Sequence, residues 1–134
     1  MDVCVVDCSF FISSFLPDEE NKDLDFFEYS VHVPSIFLLE CLNVLGVSLK
    51  KRRLTKEQYS EYVFSFKDLP FIVDHFSSTQ ESLQSISRLA QKYDLTSYDA
   101  SYLELALRLK SPIGTFDKKI IEACKHEKIR VLSL

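Results

Sequence analysis

The chain has 134 residues, 46% of them hydrophobic, which suits one domain with a full core. A charged fraction of 27% without long polar stretches excludes disorder and a coiled coil, and a net charge of −4 argues against broad electrostatic capture of nucleic acid. Eleven Phe and six Tyr against two Gly and no Trp predict a Phe-rich interior built from helices and short turns.

Val3-Cys4-Val5-Val6 is a β-branched run closed by Asp7 and predicts a buried strand of a parallel sheet, with a helix through Ser9 to Phe15 after it. Met1 to Leu16 is apolar, yet Asp2 at its head, Asp7 in its middle and the lack of a basic flank speak against a secretory leader. Pro17 to Lys22 reads as an acidic loop, and Val31-His32-Val33 as a second strand stopped by Pro34. From Ser35 to Arg53, the residues Ile36, Leu39, Val44 and Val47 recur at helical spacing. Ser35 is the expected N-cap, and Lys50, Lys51, Arg52 and Arg53 crowd the end where the helix dipole favours cations. Residues 55–67 predict another amphipathic helix, Phe71-Ile72-Val73 a third strand behind Pro70, and Thr79 the start of a helix. Ser82, Ile86, Leu89, Ala90 and Tyr93 share one face of that helix. A helix over Ser97 to Leu109, a strand at Pro112 to Thr115, a helix from Lys118 to Glu127 and a last strand at Ile129 to Leu132 complete the series.

This alternation predicts an α/β fold: a single domain over residues 1–134, with a central parallel sheet of four or five short strands flanked by helices. Ligands of such folds sit beyond the carboxyl ends of the strands. No run reaches the roughly 18 apolar residues that a membrane span needs, so no membrane is expected and the cytoplasm is the expected compartment. Cys4, Cys8, Cys41 and Cys124 fit no zinc-ligand spacing and lie in apolar surroundings, where they are expected to be reduced and buried. His32, His75 and His126 form no i, i+4 pair, which disfavours a zinc site or a histidine general base.

Four carboxylates stand out, and each has a structural alternative. Asp7 directly follows a strand, at the sheet edge where α/β sites are built, but it would also cap the helix after it. Glu40 interrupts the apolar series Ile36-Phe37-Leu38-Leu39 and Cys41-Leu42; such a charge needs a partner, either a metal ion or an ion pair with a Lys or Arg. Asn43 lies one turn on and can support it. Asp99 falls in the first turn of a helix capped by Thr96 or Ser97, where dipole compensation alone would explain it. Asp117 stands between a strand and a helix and could be no more than an N-cap. The joint pattern carries more weight: Asp7 and Asp117 point to one sheet edge, which the other two can flank. Carboxylates gathered this way repel one another unless a divalent cation is present, and an all-oxygen anionic pocket suits magnesium or manganese.

Val-Val-Asp7-Cys8-Ser9, Pro34 with Glu40 and Asn43, Tyr98-Asp99-Ala100-Ser101-Tyr102-Leu103 and Thr115-Phe116-Asp117-Lys118 together resemble the PIN-domain ribonucleases, especially the VapC toxins of toxin–antitoxin pairs. The likeness spans almost the whole chain, although Cys8 stands where the family often has a smaller residue or Thr. It implies a Mg2+ (or Mn2+) site at Asp7, Glu40, Asp99 and Asp117, with Ser9 and Thr115 as polar neighbours, and cleavage of RNA by metal-activated water. It further implies a cognate antitoxin laid across the groove and a toxin homodimer, heterotetrameric or larger with the antitoxin. Lys118 and Lys119 are candidate RNA contacts, and Lys50 to Arg53 form the one concentrated basic patch, more simply a solvated helix end. Two other readings compete. A haloacid-dehalogenase-like phosphatase also places an aspartate after its first strand, but Ser9 stands where that class carries its second Asp. A catalytically silent PIN-like binding module is disfavoured because no acidic position has been replaced.

Overall fold

A computed structural model describes residues 1–15 and 28–132; the expected acidic loop at 17–22, and Phe26 and Phe27, lie outside the described residues. The β-branched runs form strands β1 (Asp2–Val6), β2 (Tyr29–Pro34), β3 (Ile72–Asp74), β4 (Ile113–Gly114) and β5 (Val131–Leu132). They pair in parallel throughout, in the order β3-β2-β1-β4-β5. Helices α1 (Cys8–Phe15), α2 (Phe37–Lys50), α3 (Lys56–Ser65), α4 (Ser82–Tyr93), α5 (Ser97–Leu109) and α6 (Lys118–Glu127) make the connections. From β1 the chain builds outward to β2 and β3, then returns to add β4 and β5 on the other side. The order therefore reverses beside β1, and a crevice opens past the carboxyl ends of β1 and β4.

Cys4, Val5 and Val6 are wholly buried, as strands covered on both faces require. α5 runs through the interior: Ala100 to Ala106 are buried without a break, so this helix has no solvent face over two turns. The aromatic core is real. Phe11 meets Phe37 and Phe71 edge-on at centroid distances of 5.6 and 5.2 Å and stacks on Phe15 at 4.9 Å. All four cysteines are free and buried. Among the described residues no helix is long and apolar enough to cross a membrane.

Several boundaries differ from expectation. α2 begins at Phe37 rather than Ser35, with no side-chain cap, because Ser35 bonds instead through its N–H and hydroxyl to the Ser77 hydroxyl (3.1 and 3.2 Å). It ends at Lys50, and Arg52 then turns the chain through a left-handed φ of 60°. Its buried face is Phe37, Cys41, Leu45 and Ser48, while Leu39 is 68% exposed; the larger Phe37 ring sets the rotation of the helix. A 3-10 turn at Phe76–Ser78 displaces the start of α4 from Thr79 to Ser82, whose hydroxyl donates to the Thr79 carbonyl at 2.8 Å. β3 is shifted by one residue and ends on Asp74.

Asp74 meets Arg108, whose guanidinium donates to both Asp74 oxygens (3.1 and 2.6 Å) and both Glu104 oxygens (2.8 and 2.9 Å) while lying over the Phe76 ring. Burial pushes the Asp74 carboxyl up, but the bonds and charge of Arg108 outweigh it and hold the group below its ordinary value. Arg108→Met should therefore destabilise the fold by about 2 kcal/mol, because it leaves buried Glu104 unpaired. Thermal unfolding checks this, and the double change with Glu104→Gln should recover part of the loss; an unaltered melting temperature in Arg108→Met would contradict it.

Candidate active site

Asp7 leaves β1 at the crevice and uses both carboxylate oxygens. Oδ1 accepts from the Phe10 amide (2.9 Å) and the Ser9 hydroxyl (3.0 Å), capping α1, and Oδ2 accepts from the Thr115 hydroxyl at 2.5 Å. Register explains the last bond: Val6 pairs with Gly114 and the Asp7 amide donates to the Gly114 carbonyl, which puts Thr115 level with Asp7 across the two strands. Thr115 in turn accepts from the Asp117 amide at 3.1 Å, and Asp117 caps α6 by accepting from the Ile120 amide at 3.0 Å. The capping roles open to these two aspartates are both filled, and both residues also line the cleft.

Asp99 is different. Thr96, not Ser97, caps α5, accepting from the Asp99 amide at 3.0 Å, and its side chain also bonds the Asp99 carboxyl. Glu40 projects from α2, and its Oε1 accepts from the Tyr102 hydroxyl at 2.5 Å. Among the described residues no Lys or Arg pairs with it. Tyr102 lies one turn past Asp99 on α5, so the two share a helix face; that i, i+3 spacing was the available signal for a residue that sequence reasoning passed over.

Asp7, Glu40, Asp99 and Asp117 line one cleft of about 570 Å³, together with Ser9, Asn43, Tyr102 and Phe116. Thr115 lies beneath it, bonded to Asp7. Asn43 shares the wall, without a hydrogen bond to Glu40 among the described residues. Lys118 and Lys119 are exposed and stand outside the lining, and Lys119 is paired with Asp94 at 2.8 Å. Cys8 and Cys41, each next in sequence to a cleft carboxylate, touch at 3.4 Å between sulfurs and join α1 to α2 beneath it.

The carboxylates sense one another. Burial raises the Asp7 carboxyl against the pull of its three hydrogen bonds, and the Asp117 charge adds to the rise. Burial raises Asp99 as well, with the charges of Asp117 and Asp7 adding and the Thr96 bond opposing. Glu40 is raised by burial, with the Tyr102 bond opposing and the charges of Asp99 and Asp7 adding. The result is an all-oxygen set under mutual repulsion, the donor chemistry of a hard divalent cation. Among the described residues, no three potential ligands stand close enough to enclose an ion between them. Any ion held there would need water molecules among its ligands.

A family model for the PIN domain matches residues 4–126. The chain belongs to the PIN domain family. Among solved structures, this PIN domain is similar to VapC20 of Mycobacterium tuberculosis, described as a sarcin-ricin loop cleaving toxin. The identity is 15% and the TM-score 0.66, over 90% of this chain and 94% of that one. A toxin–antitoxin complex from Klebsiella pneumoniae has 18% identity and a TM-score of 0.63 over 88% and 89% of the two chains. FitAcB from Neisseria gonorrhoeae has 11% identity and a TM-score of 0.65 over 97% and 96%. At these identities the likeness is one of fold. No curated protein matches the sequence.

Proposed function

We propose that this PIN domain is a magnesium-dependent endoribonuclease and the toxin of a type II toxin–antitoxin pair. One observation carries the reading: carboxylates from four separate parts of the fold, at Asp7, Glu40, Asp99 and Asp117, line a single cleft where the strand order reverses. The fold relatives described as a cleaving toxin and as a toxin–antitoxin complex support it.

In this reading Asp7, Asp99 and Asp117 hold Mg2+ or Mn2+, with Glu40 binding directly or through a retained water. Such an ion supplies an acidified water and positive charge opposite the phosphate oxygens. Thr115, Ser9 and the Phe10 amide fix the plane of the Asp7 carboxylate, and Tyr102 fixes that of Glu40 through Oε1. Where Glu40 is linked to the ion through a retained water, its second oxygen is left to take the proton of the attacking water. The water oxygen bonds to phosphorus, one ester bond to ribose breaks in line, and the departing oxygen is protonated from solvent. The partners in this reading are an RNA substrate, a cognate antitoxin covering the cleft and a second copy of the toxin, in a cytoplasm that keeps the four thiols reduced.

Incubating the protein with RNA and magnesium in 18O-labelled water tests the chemistry. Expected are linear phosphate ends carrying one solvent oxygen, and no cleavage once EDTA is added. Cyclic 2′,3′-phosphate ends, or cutting that EDTA leaves unchanged, would overturn the mechanism.

A further inference from the structure

Phe116 stands between Thr115 and Asp117 and lines the acidic cleft with 44% of its surface exposed. Apolar surface left exposed beside four carboxylates is open to a ligand. Phe116 is nonetheless well braced: its ring rests against that of fully buried Phe10, with centroids 5.2 Å apart and planes tilted by 35°. The backbone on either side is tied down by the Thr115 hydroxyl, which donates to Asp7 and accepts from the Asp117 amide. The ring therefore offers a preorganised aromatic face on the wall of the cleft.

The charge balance shows what such a face is for. The chain carries a net charge of −4, four of its carboxylates line the cleft, and Lys119 is paired with Asp94. Stacking on an aromatic ring is a charge-independent source of affinity that every base can supply. We propose that Phe116 is a substrate-binding residue that stacks a base of the RNA beside the scissile phosphate. This inference rests on the ribonuclease reading above.

The test compares the parent protein with Phe116→Ala, Phe116→Leu and Phe116→Tyr on a single-stranded oligoribonucleotide in magnesium. Phe116→Ala should raise KM about ten-fold with a smaller change in kcat, and Phe116→Tyr should restore it. Phe116→Leu keeps apolar packing on Phe10 but lacks the aromatic face, so it should behave like Phe116→Ala while melting close to the parent. In an Asp99→Asn background, the fluorescence of 2-aminopurine beside the cleavage point should be quenched on binding, and the added Phe116→Leu should abolish that quenching. A parent that cleaves RNA with Phe116→Ala and Phe116→Leu matching its KM overturns the stacking role alone and leaves the ring to a protein partner. A parent that cleaves no RNA overturns the ribonuclease reading, and this inference with it.

Discussion

Asp99→Asn is expected to lower magnesium-dependent RNA cleavage by about a hundred- to a thousand-fold, because it removes a charged donor from the cleft without changing its shape. The variant is a clean probe. The cap of α5 is the Thr96 side chain, and an asparagine at position 99 can keep the bond to it, whereas substitution of Asp7 or Asp117 would remove the cap of a helix. The same change should stabilise the protein when no metal is present. Burial and the charges of Asp117 and Asp7 raise the Asp99 carboxyl above its ordinary value of 3.8, so the folded chain binds this proton more tightly than the unfolded one. The associated stability is present at and below that ordinary value and is lost as pH rises through the higher folded value. In EDTA at pH 7, Asp99→Asn should therefore melt a few degrees above the parent, and the gap should close as pH falls toward 4. A variant that cuts RNA at the parent's rate, or melts well below it at pH 7, contradicts the role given to Asp99.

Gly114→Ala should produce the largest loss of stability, about 2–3 kcal/mol, or roughly 10 °C in melting temperature. A Cβ at this position would lie 2.6–2.9 Å from three carbons of the Phe10 ring. That ring is fully buried and braced by Phe116, so it has no open side to move into. The damage should reach the cleft, since the Phe10 amide donates to the Asp7 carboxylate and Gly114 carries the carbonyl that accepts from the Asp7 amide. Cleavage should fall even at temperatures where the variant remains folded. Thermal unfolding and an assay well below the transition separate the two effects; a melting temperature equal to the parent's would show that the first turn of α1 yields more easily than its burial implies.

Where the chain's own pattern decides an element, the sequence was enough. α5 at Ser97–Leu109 and α6 at Lys118–Glu127 lie where spacing and capping residues put them, and the short β-branched runs became parallel strands. Where a distant residue decides, local reading went astray. Ser35 looks like a cap but answers to Ser77, 42 positions away. The buried face of α2 follows Phe37, Cys41 and Leu45 because those side chains meet the aromatic core, and the i, i+3 pattern of Leu39 carries no trace of that preference. The carboxylates teach the same lesson. Asp74 ends a strand much as Asp7 follows one, yet Arg108 neutralises it from α5, 34 positions on, while Asp7 meets hydroxyls and an amide and keeps a place on the cleft. Capping and a place on the cleft also proved compatible, because a carboxylate has two oxygens: Asp117 caps α6 through Oδ1 and still lines the cleft. Glu40 was the residue hardest to explain by structure alone, and its partner Tyr102, 62 positions away, offers a neutral hydroxyl that leaves the charge uncompensated.

The most direct measurement of the central claim is a titration of Mn2+ into the metal-free protein at neutral pH, followed by the loss of the free-ion electron paramagnetic resonance signal. The parent should bind the ion, Asp99→Asn should bind it at least about ten-fold more weakly, and Arg108→Met, whose altered carboxylates lie outside the cleft, should bind like the parent where it remains folded. Equal binding by the parent and Asp99→Asn, or no binding by a parent that nevertheless cuts RNA, would contradict a divalent-cation site built on Asp7, Glu40, Asp99 and Asp117.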